Sequence, residues 1–211
     1  MEAPPQVCLV MAFRNEAEHL PAVLASLGAQ TFGRDRLSLI AVDDGSRDGS
    51  AEVVEVWLRE SGWNGRVVRG ESRCIASSLN LALTYVAADA YVVRIDAHSL
   101  YARDYVETVM TAFRDLPGDV WCVGGSPDPT AASTFGRALH AALFTNRMGL
   151  GSADYHRELV RPVASVYLGA WRPGILARLG GYDARWRANE DAEVAERICE
   201  AGGRVVRVPA H

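Results

Sequence analysis

The fold class this chain predicts is α/β, a single domain with a mostly parallel sheet flanked by helices, and three observations predict it. Short apolar runs alternate four times with segments of helical spacing between Val7 and Ile95. Those runs are continuous rather than alternating, as expected for strands buried on both faces. Polar residues gather where the runs end, the side on which such sheets hold their ligands.

Val7 to Ala12 reads as the first strand and is followed by the polar break Arg14-Asn15-Glu16. Leu20, Val23, Leu24 and Leu27 then fall at helical spacing, with Pro21 near the start, where proline is tolerated. Leu37 to Val42 is a second strand ending in Asp43-Asp44-Gly45-Ser46, followed by a helix with Ala51, Val54 and Leu58 on one face. Arg66 to Arg69 is a third strand, Ser77 to Ala87 a third helix, and Ala90 to Ile95 a fourth strand. Beyond these, Tyr105 to Phe113 reads as helix and Val120 to Gly125 as strand. The stretch from Ser126 to Val160 is expected to hold a helix from Phe135 to Asn146 and a loop around Gly149-Leu150-Gly151-Ser152. Tyr167 to Trp171 is followed by a helix, Pro173 to Leu179, closed by Gly180-Gly181. Asn189 is placed as the N-cap of a final helix, Glu190 to Glu200, and Val205 to Val208 as the last strand.

The 211 residues suit one large domain, and an apolar content of 49% with 23% charge is that of a soluble globular chain. A net charge of −4 argues against nucleic acid as the main partner. All 22 basic residues are arginine, which rules out P-loop lysines, Schiff-base lysines and lysine general bases. Cys8, Cys74 and Cys122 lie beside apolar segments and read as reduced core residues, and Cys199 has no partner in a Cys-x-x-Cys pair. No apolar run approaches the roughly 18 residues needed to span a bilayer and no signal peptide is seen. The expected location is cytoplasmic, with peripheral association at the inner face of a membrane left open. The stop at His211, directly after a strand, is also that expected of a catalytic fragment.

The most informative stretch is Val92-Val93-Arg94-Ile95-Asp96-Ala97-His98. On an extended segment residues i and i+2 share a side, so Asp96 and His98 would project together past small Ala97. That pairing suits a divalent metal held between protein and a diphosphate; the plain alternative is a strand end with two solvated polar residues.

Taken in order, Ala12-Phe13-Arg14-Asn15-Glu16, Val42-Asp43-Asp44-Gly45-Ser46, Arg94-Ile95-Asp96-Ala97-His98, Gly180-Gly181-Tyr182-Asp183 and Asn189-Glu190-Asp191 resemble the family 2 glycosyltransferases. Each piece is weak alone, and their order and spacing are specific. The resemblance implies the GT-A fold, a Rossmann-like sheet with a nucleotide-binding half at about residues 1–100 and an acceptor and catalytic half at 101–211. The Asp-Ala-His form resembles a bacterial subgroup that includes exopolysaccharide glucosyltransferases, many of which continue into membrane helices.

The resemblance assigns roles residue by residue. Asp44 would accept a hydrogen bond from the nucleobase, typically uracil N3–H, the alternative being an N-cap, while Asp43 is the better structural candidate. Ala12, Arg14 and Glu16 would lie beside the base and ribose, and Arg73 near the base or diphosphate. Asp96 and His98 stand where the family carries Asp-x-Asp, and imidazole in the second place favours Mn²⁺ over Mg²⁺. Asp96 could instead hold the ribose, leaving the metal largely to His98. His211 matches a histidine that some GT-A enzymes give to the metal. Asp191, in the first turn of a helix, is the candidate catalytic base for an inverting transfer. Gly169, Ala170 and Trp171, in a segment running to Arg172, would touch donor sugar and acceptor, with Trp171 stacking on an acceptor ring or serving as a core residue. Glu190 is placed beside them.

The implied function is metal-dependent transfer of a sugar from a nucleoside diphosphate sugar, a UDP-sugar for preference, to a saccharide, lipid-linked or small-molecule acceptor. The rivals are a sugar nucleotidyltransferase and an inactive nucleotide-sugar-binding domain. The turn from Met11 to Glu16 has no glycine, which counts against the first. No Gly-x-Gly-x-x-Gly follows the first strand, which disfavours a dehydrogenase.

Overall fold

In a computed structural model, residues 5–125, 160–186 and 188–208 are described. Strand β1 (Val7–Phe13) is buried along almost its whole length, because β2 (Leu37–Asp43) and β4 (Tyr91–Ile95) run parallel on either side of it. Its apolar residues divide between two cores, Leu9 and Met11 facing one and Cys8 and Val10 the other, as the two-residue period of a strand requires. The remaining strands are β3 (Gly65–Arg69), β5 (Val120–Gly125), β6 (Arg161–Pro162), β7 (Tyr167–Trp171) and β8 (Arg204–Arg207). Together they make one eight-stranded sheet in the order β3-β2-β1-β4-β7-β5-β8-β6. Only β7 and the two-residue β6 pair antiparallel to their neighbours.

The helices are α1 (Leu20–Gly28), α2 (Ser50–Ser61), α3 (Ile75–Leu83), α4 (Tyr105–Asp115), α5 (Ile175–Arg178) and α6 (Glu190–Glu200). α1 buries Leu20, Val23, Leu24 and Leu27, the set its spacing predicted. Each such side chain contributes about 1.5–3 kcal/mol on leaving water. A 3₁₀ turn at Arg34–Arg36 and strand β6 had no clear signal in the sequence. Strand ends differ from expectation by about one residue, and the larger differences are at the helices. α3 runs two residues earlier and stops at Leu83, and α5 is a single turn because Gly174 before it adopts φ 75. Asn189 precedes α6 in the left-handed region (φ 60) and its side chain makes no cap hydrogen bond. The Phe135 to Asn146 helix, the loop around Gly149 and His211 lie outside the described residues.

The strand order fixes where a ligand can sit. From β1 the chain moves to β2 on one side, and from β3 it crosses to β4 on the other. The sheet therefore reverses direction between β1 and β4, leaving a crevice beyond their carboxyl ends.

Candidate active site

Two loops line that crevice and are stitched together through backbone amides. Asn15 N–H donates to Ser46 Oγ (2.9 Å), Glu16 N–H to Ser50 Oγ (2.7 Å) and Ala17 N–H to Asp48 Oδ2 (3.0 Å), while Arg47 N–H donates to Asn15 Oδ1 (2.9 Å). Asn15 turns the chain at φ 56, a conformation asparagine tolerates better than most residues. The stitching fixes exposed Arg14 and partly buried Glu16 at the mouth of the crevice, just past half-buried Ala12.

Asp43 and Asp44 stand in different surroundings. Asp43 accepts from Ser46 N–H (3.0 Å) and from Arg69 Nη1 (2.9 Å), a structural role. Asp44 is not a helix cap, since Gly49 stands before α2. Its carboxylate accepts Cys74 N–H at 3.0 Å and faces Ser72 Oγ at 3.2 Å, and with 5% of its surface exposed it is aimed inward. A carboxylate can accept about four hydrogen bonds, so this one retains capacity. Arg73 is exposed, at φ 51, in the loop covering Asp44.

Across the crevice, Asp96 and His98 leave the end of β4 as anticipated. Asp96 Oδ2 lies 4.0 Å from His98 Nε2, and His98 Nδ1 lies 3.6 Å from Glu16 Oε1, so the ends of β1 and β4 meet here. Asp96 N–H donates to Tyr101 Oη (2.7 Å), which holds the turn, and Tyr167 Oη donates to Asp96 Oδ2 (2.8 Å). Tyr167 reaches that point because β7 bulges against β5 and Leu168 adopts φ 48, turning its neighbour toward the crevice. Among the described residues no three His, Cys, Asp or Glu side chains converge as a metal cage. Asp96 and His98 could offer one oxygen and one nitrogen donor, a set that would suit a borderline divalent ion.

The deepest part of the site centres on Arg94. Its guanidinium, 5% exposed, sets Nη1 2.6 Å from both Glu190 Oε1 and Asp191 Oδ1, and Nη2 3.6 Å from Asp96 Oδ1. The Nη1 contacts are ion pairs whose angles fall outside hydrogen-bond geometry. Burial pushes the Asp191 carboxyl above the ordinary 3.8, and the adjacent Arg94 charge pulls it back. The same carboxylates hold the Arg94 guanidinium firmly charged against its own desolvation.

Two expectations for the segment after Tyr167 are corrected. Trp171 is not a stacking platform: its ring is 1% exposed and meets Tyr182 edge-on at 6.0 Å. Gly169 and Ala170 do not open space for a sugar, since a Cβ on Gly169 would lie 2.6 Å from the Trp171 ring and Ala170 is fully buried. Arg172 points away from the crevice, donating to the carbonyls of Val120 (2.8 Å), Phe113 (2.7 Å) and Leu116 (3.1 Å) around the end of α4. Glu190 belongs to the Arg94 cluster.

Arg94 and Tyr167 join the site without a role that the sequence assigns them. A signal for Arg94 existed: an arginine inside an apolar run that must be buried needs an acidic partner. Tyr167 carried none, because its reach depends on a bulge.

The fold and this placement of acidic side chains define a GT-A domain. The chain belongs to glycosyl transferase family 2, whose sequence profile matches residues 8–159. It is similar to the succinoglycan biosynthesis protein ExoA of Rhizobium meliloti (strain 1021), with 28% identity over 201 residues, covering 93% of this chain and 59% of that protein. Its fold matches the mannosyltransferase PcManGT from Pyrobaculum calidifontis, solved with GDP-Man and Mn²⁺ (TM-score 0.76, 24% identity, 98% of this chain and 55% of that one). It also matches S. aureus TarS residues 1–349 in complex with UDP-GlcNAc (TM-score 0.73, 14% identity, 97% of this chain and 57% of that one). The chain thus spans a little over half the length of these relatives. No helix among the described residues is long and apolar enough to cross a membrane.

Proposed function

We propose that this chain is the catalytic domain of a metal-dependent, inverting glycosyltransferase using a nucleoside diphosphate sugar, with UDP as the nucleotide. The observation that carries the reading is the meeting of Asp96, from the end of β4, with Glu190 and Asp191, from the start of α6, around one buried guanidinium. On this reading Asp96 is the metal-side carboxylate and Asp191 the acceptor-side one, and the guanidinium they share supports placing both roles in one site.

In the proposed transfer an acceptor hydroxyl oxygen attacks the anomeric carbon, the bond to the diphosphate breaks on the opposite face, and Asp191 takes the hydroxyl proton. No covalent sugar-enzyme intermediate is formed. The raised carboxyl of Asp191 suits a base, because a carboxylate nearer the working pH binds the proton more firmly. Asp44 supplies the acceptor for uracil N3–H, with Ala12, Arg14, Glu16 and Arg73 around the nucleotide. Asp96 and His98 would hold Mn²⁺ or Mg²⁺, which when bound supplies positive charge to the departing diphosphate. His211 is proposed as a further donor to it. The name of the succinoglycan biosynthesis relative supports a saccharide acceptor in polysaccharide assembly; that the acceptor is lipid-linked and met at the cytoplasmic face of a membrane is part of the proposal.

The test is calorimetric titration of UDP into the chain with Mn²⁺ and then with EDTA, with GDP and dTDP as controls. Metal-dependent binding selective for UDP is the expected result. Binding of none of the three nucleotides under either condition would overturn the reading, and selective binding of GDP would overturn the choice of uracil.

A further inference from the structure

Every strand residue beside Arg94 is apolar: Val92, Val93 and Ile95. An apolar side chain at this position would fill the core without the several kcal/mol that desolvating a charge costs, and buried ion pairs seldom stabilise more than well-packed apolar groups. The arginine therefore needs a reason beyond packing. Its two terminal nitrogens face different elements, Nη1 toward Glu190 and Asp191 and Nη2 toward Asp96. A lysine ammonium, being one point charge, could not span both.

The rest of α6 is anchored independently. Arg197, in its last turn, pairs with Glu193 and donates to the carbonyls of Leu179 (2.6 Å) and Gly181 (2.8 Å). The first turn lacks a side-chain cap, since Asn189 is left-handed and makes none. Its acidic pair instead rests on Arg94.

We infer that Arg94 is a positioning residue, tying the first turn of α6 to the end of β4 and so fixing Asp191 relative to Asp96 across the reaction centre. This inference rests on the reading of Asp191 as the base. Arg94 itself contacts neither nucleotide nor sugar in this scheme. Its loss leaves the donor half of the crevice standing and lets the proton acceptor drift.

Three variants of the full chain test it: Arg94→Lys, Arg94→Ala and the charge-balanced double variant Arg94→Met with Glu190→Gln, which guards against misfolding from uncompensated carboxylates. UDP binding is read by calorimetry with Mn²⁺, and turnover as UDP released on hydrolysis of UDP-glucose, UDP-GlcNAc and UDP-galactose, water taking the glycosyl group and giving up its proton in place of the acceptor hydroxyl. A misplacement of about 1 Å costs on the order of 100-fold in rate, so kcat of Arg94→Lys is expected to fall about 100-fold while UDP affinity and donor KM stay within about threefold. Guanidinium added to Arg94→Ala is expected to restore rate about tenfold without affecting the wild-type chain, because it returns the missing bidentate cation. In crystals of the double variant, Asp191 should move away from Asp96.

Turnover of Arg94→Lys within about threefold of wild type would overturn the inference, as would a loss of UDP affinity in step with kcat, since a misplacement of the base predicts a far larger and selective rate effect. Failure of guanidinium to rescue, or an Asp191 that stays in place in the double variant, would overturn it too. If Asp191→Asn retains wild-type turnover, or the wild-type chain turns over no donor, the proposed function fails instead. The crystal comparison then still decides whether Arg94 positions α6.

Discussion

Gly180 and Gly181 close α5 at nearly the same backbone angle, φ 80 and φ 78, yet what surrounds them differs. A Cβ on Gly180 would meet nothing within 4 Å. One on Gly181 would lie 2.4 Å from Asn80 Oδ1. That amide on α3 clamps the backbone of Tyr182, accepting its N–H at 2.7 Å and donating to its carbonyl at 2.7 Å. Gly180→Ala should therefore cost only the left-handed conformation, about 1–2 kcal/mol. Gly181→Ala adds two displaced hydrogen bonds of about 1 kcal/mol each, for a total of about 3–4 kcal/mol. For a domain of this size about 2–4 °C is lost per kcal/mol, so Tm should fall about 4 °C for the first variant and about 10 °C for the second. Thermal unfolding followed by circular dichroism measures both. Equal shifts in the two variants would refute the reasoning, because the backbone angle alone would then account for the cost. The result bears on function, since the clamp fixes the chain that leads from α5 to the Asp191 helix.

Further outcomes are expected at the site and around it. Asp191→Asn should lower kcat by about 10²–10⁴-fold, the usual contribution of a general base, with UDP affinity unchanged; retained turnover would remove Asp191 as the base. Because burial lifts the Asp191 carboxyl above 3.8, the acid limb of kcat/KM should lie above 3.8, and a limb at or below it would contradict the burial. The stability consequence has the opposite sense: the folded chain holds this proton more tightly than the unfolded one, a contribution present below the unfolded pKa and lost as pH rises through the folded value. Asp183, pulled down to about 2 by Arg185, behaves in reverse. Its contribution is present above 3.8 and disappears as pH falls toward 2, so Asp183→Asn should flatten urea-unfolding stability across that window. Arg172→Met should cost about 2–3 kcal/mol in urea denaturation by stranding carbonyls at the end of α4, and should leave UDP binding intact. Weakened UDP binding would return Arg172 to the site.

What was legible in the sequence was whatever depends on short-range pattern. Continuous apolar runs gave β1, β2 and β4 their burial on both faces, and residues i and i+2 put Asp96 and His98 on one side of a strand end. Helical spacing marked α1, α4 and α6 and placed Asp191 in the first turn of α6, while its candidate role came from the family resemblance. Trp171 shows where local reading stops: beside two small residues it could be a stacking surface or a core residue, and the choice is made by β7, which inserts antiparallel between β4 and β5 and carries the ring into the core. The same insertion, through a bulge at Leu168, sends Tyr167 to Asp96. Arg94 was visible as an oddity in an apolar strand, but its partners lie on a helix formed near the other end of the chain. Composition and periodicity therefore determined the class of fold and the strand ends at which polar side chains gather, because burial and side-chain direction repeat within a few residues. Only the tertiary structure decided which charges share the buried space, because a desolvated ion finds its counter-charge by proximity in space and not by distance along the chain.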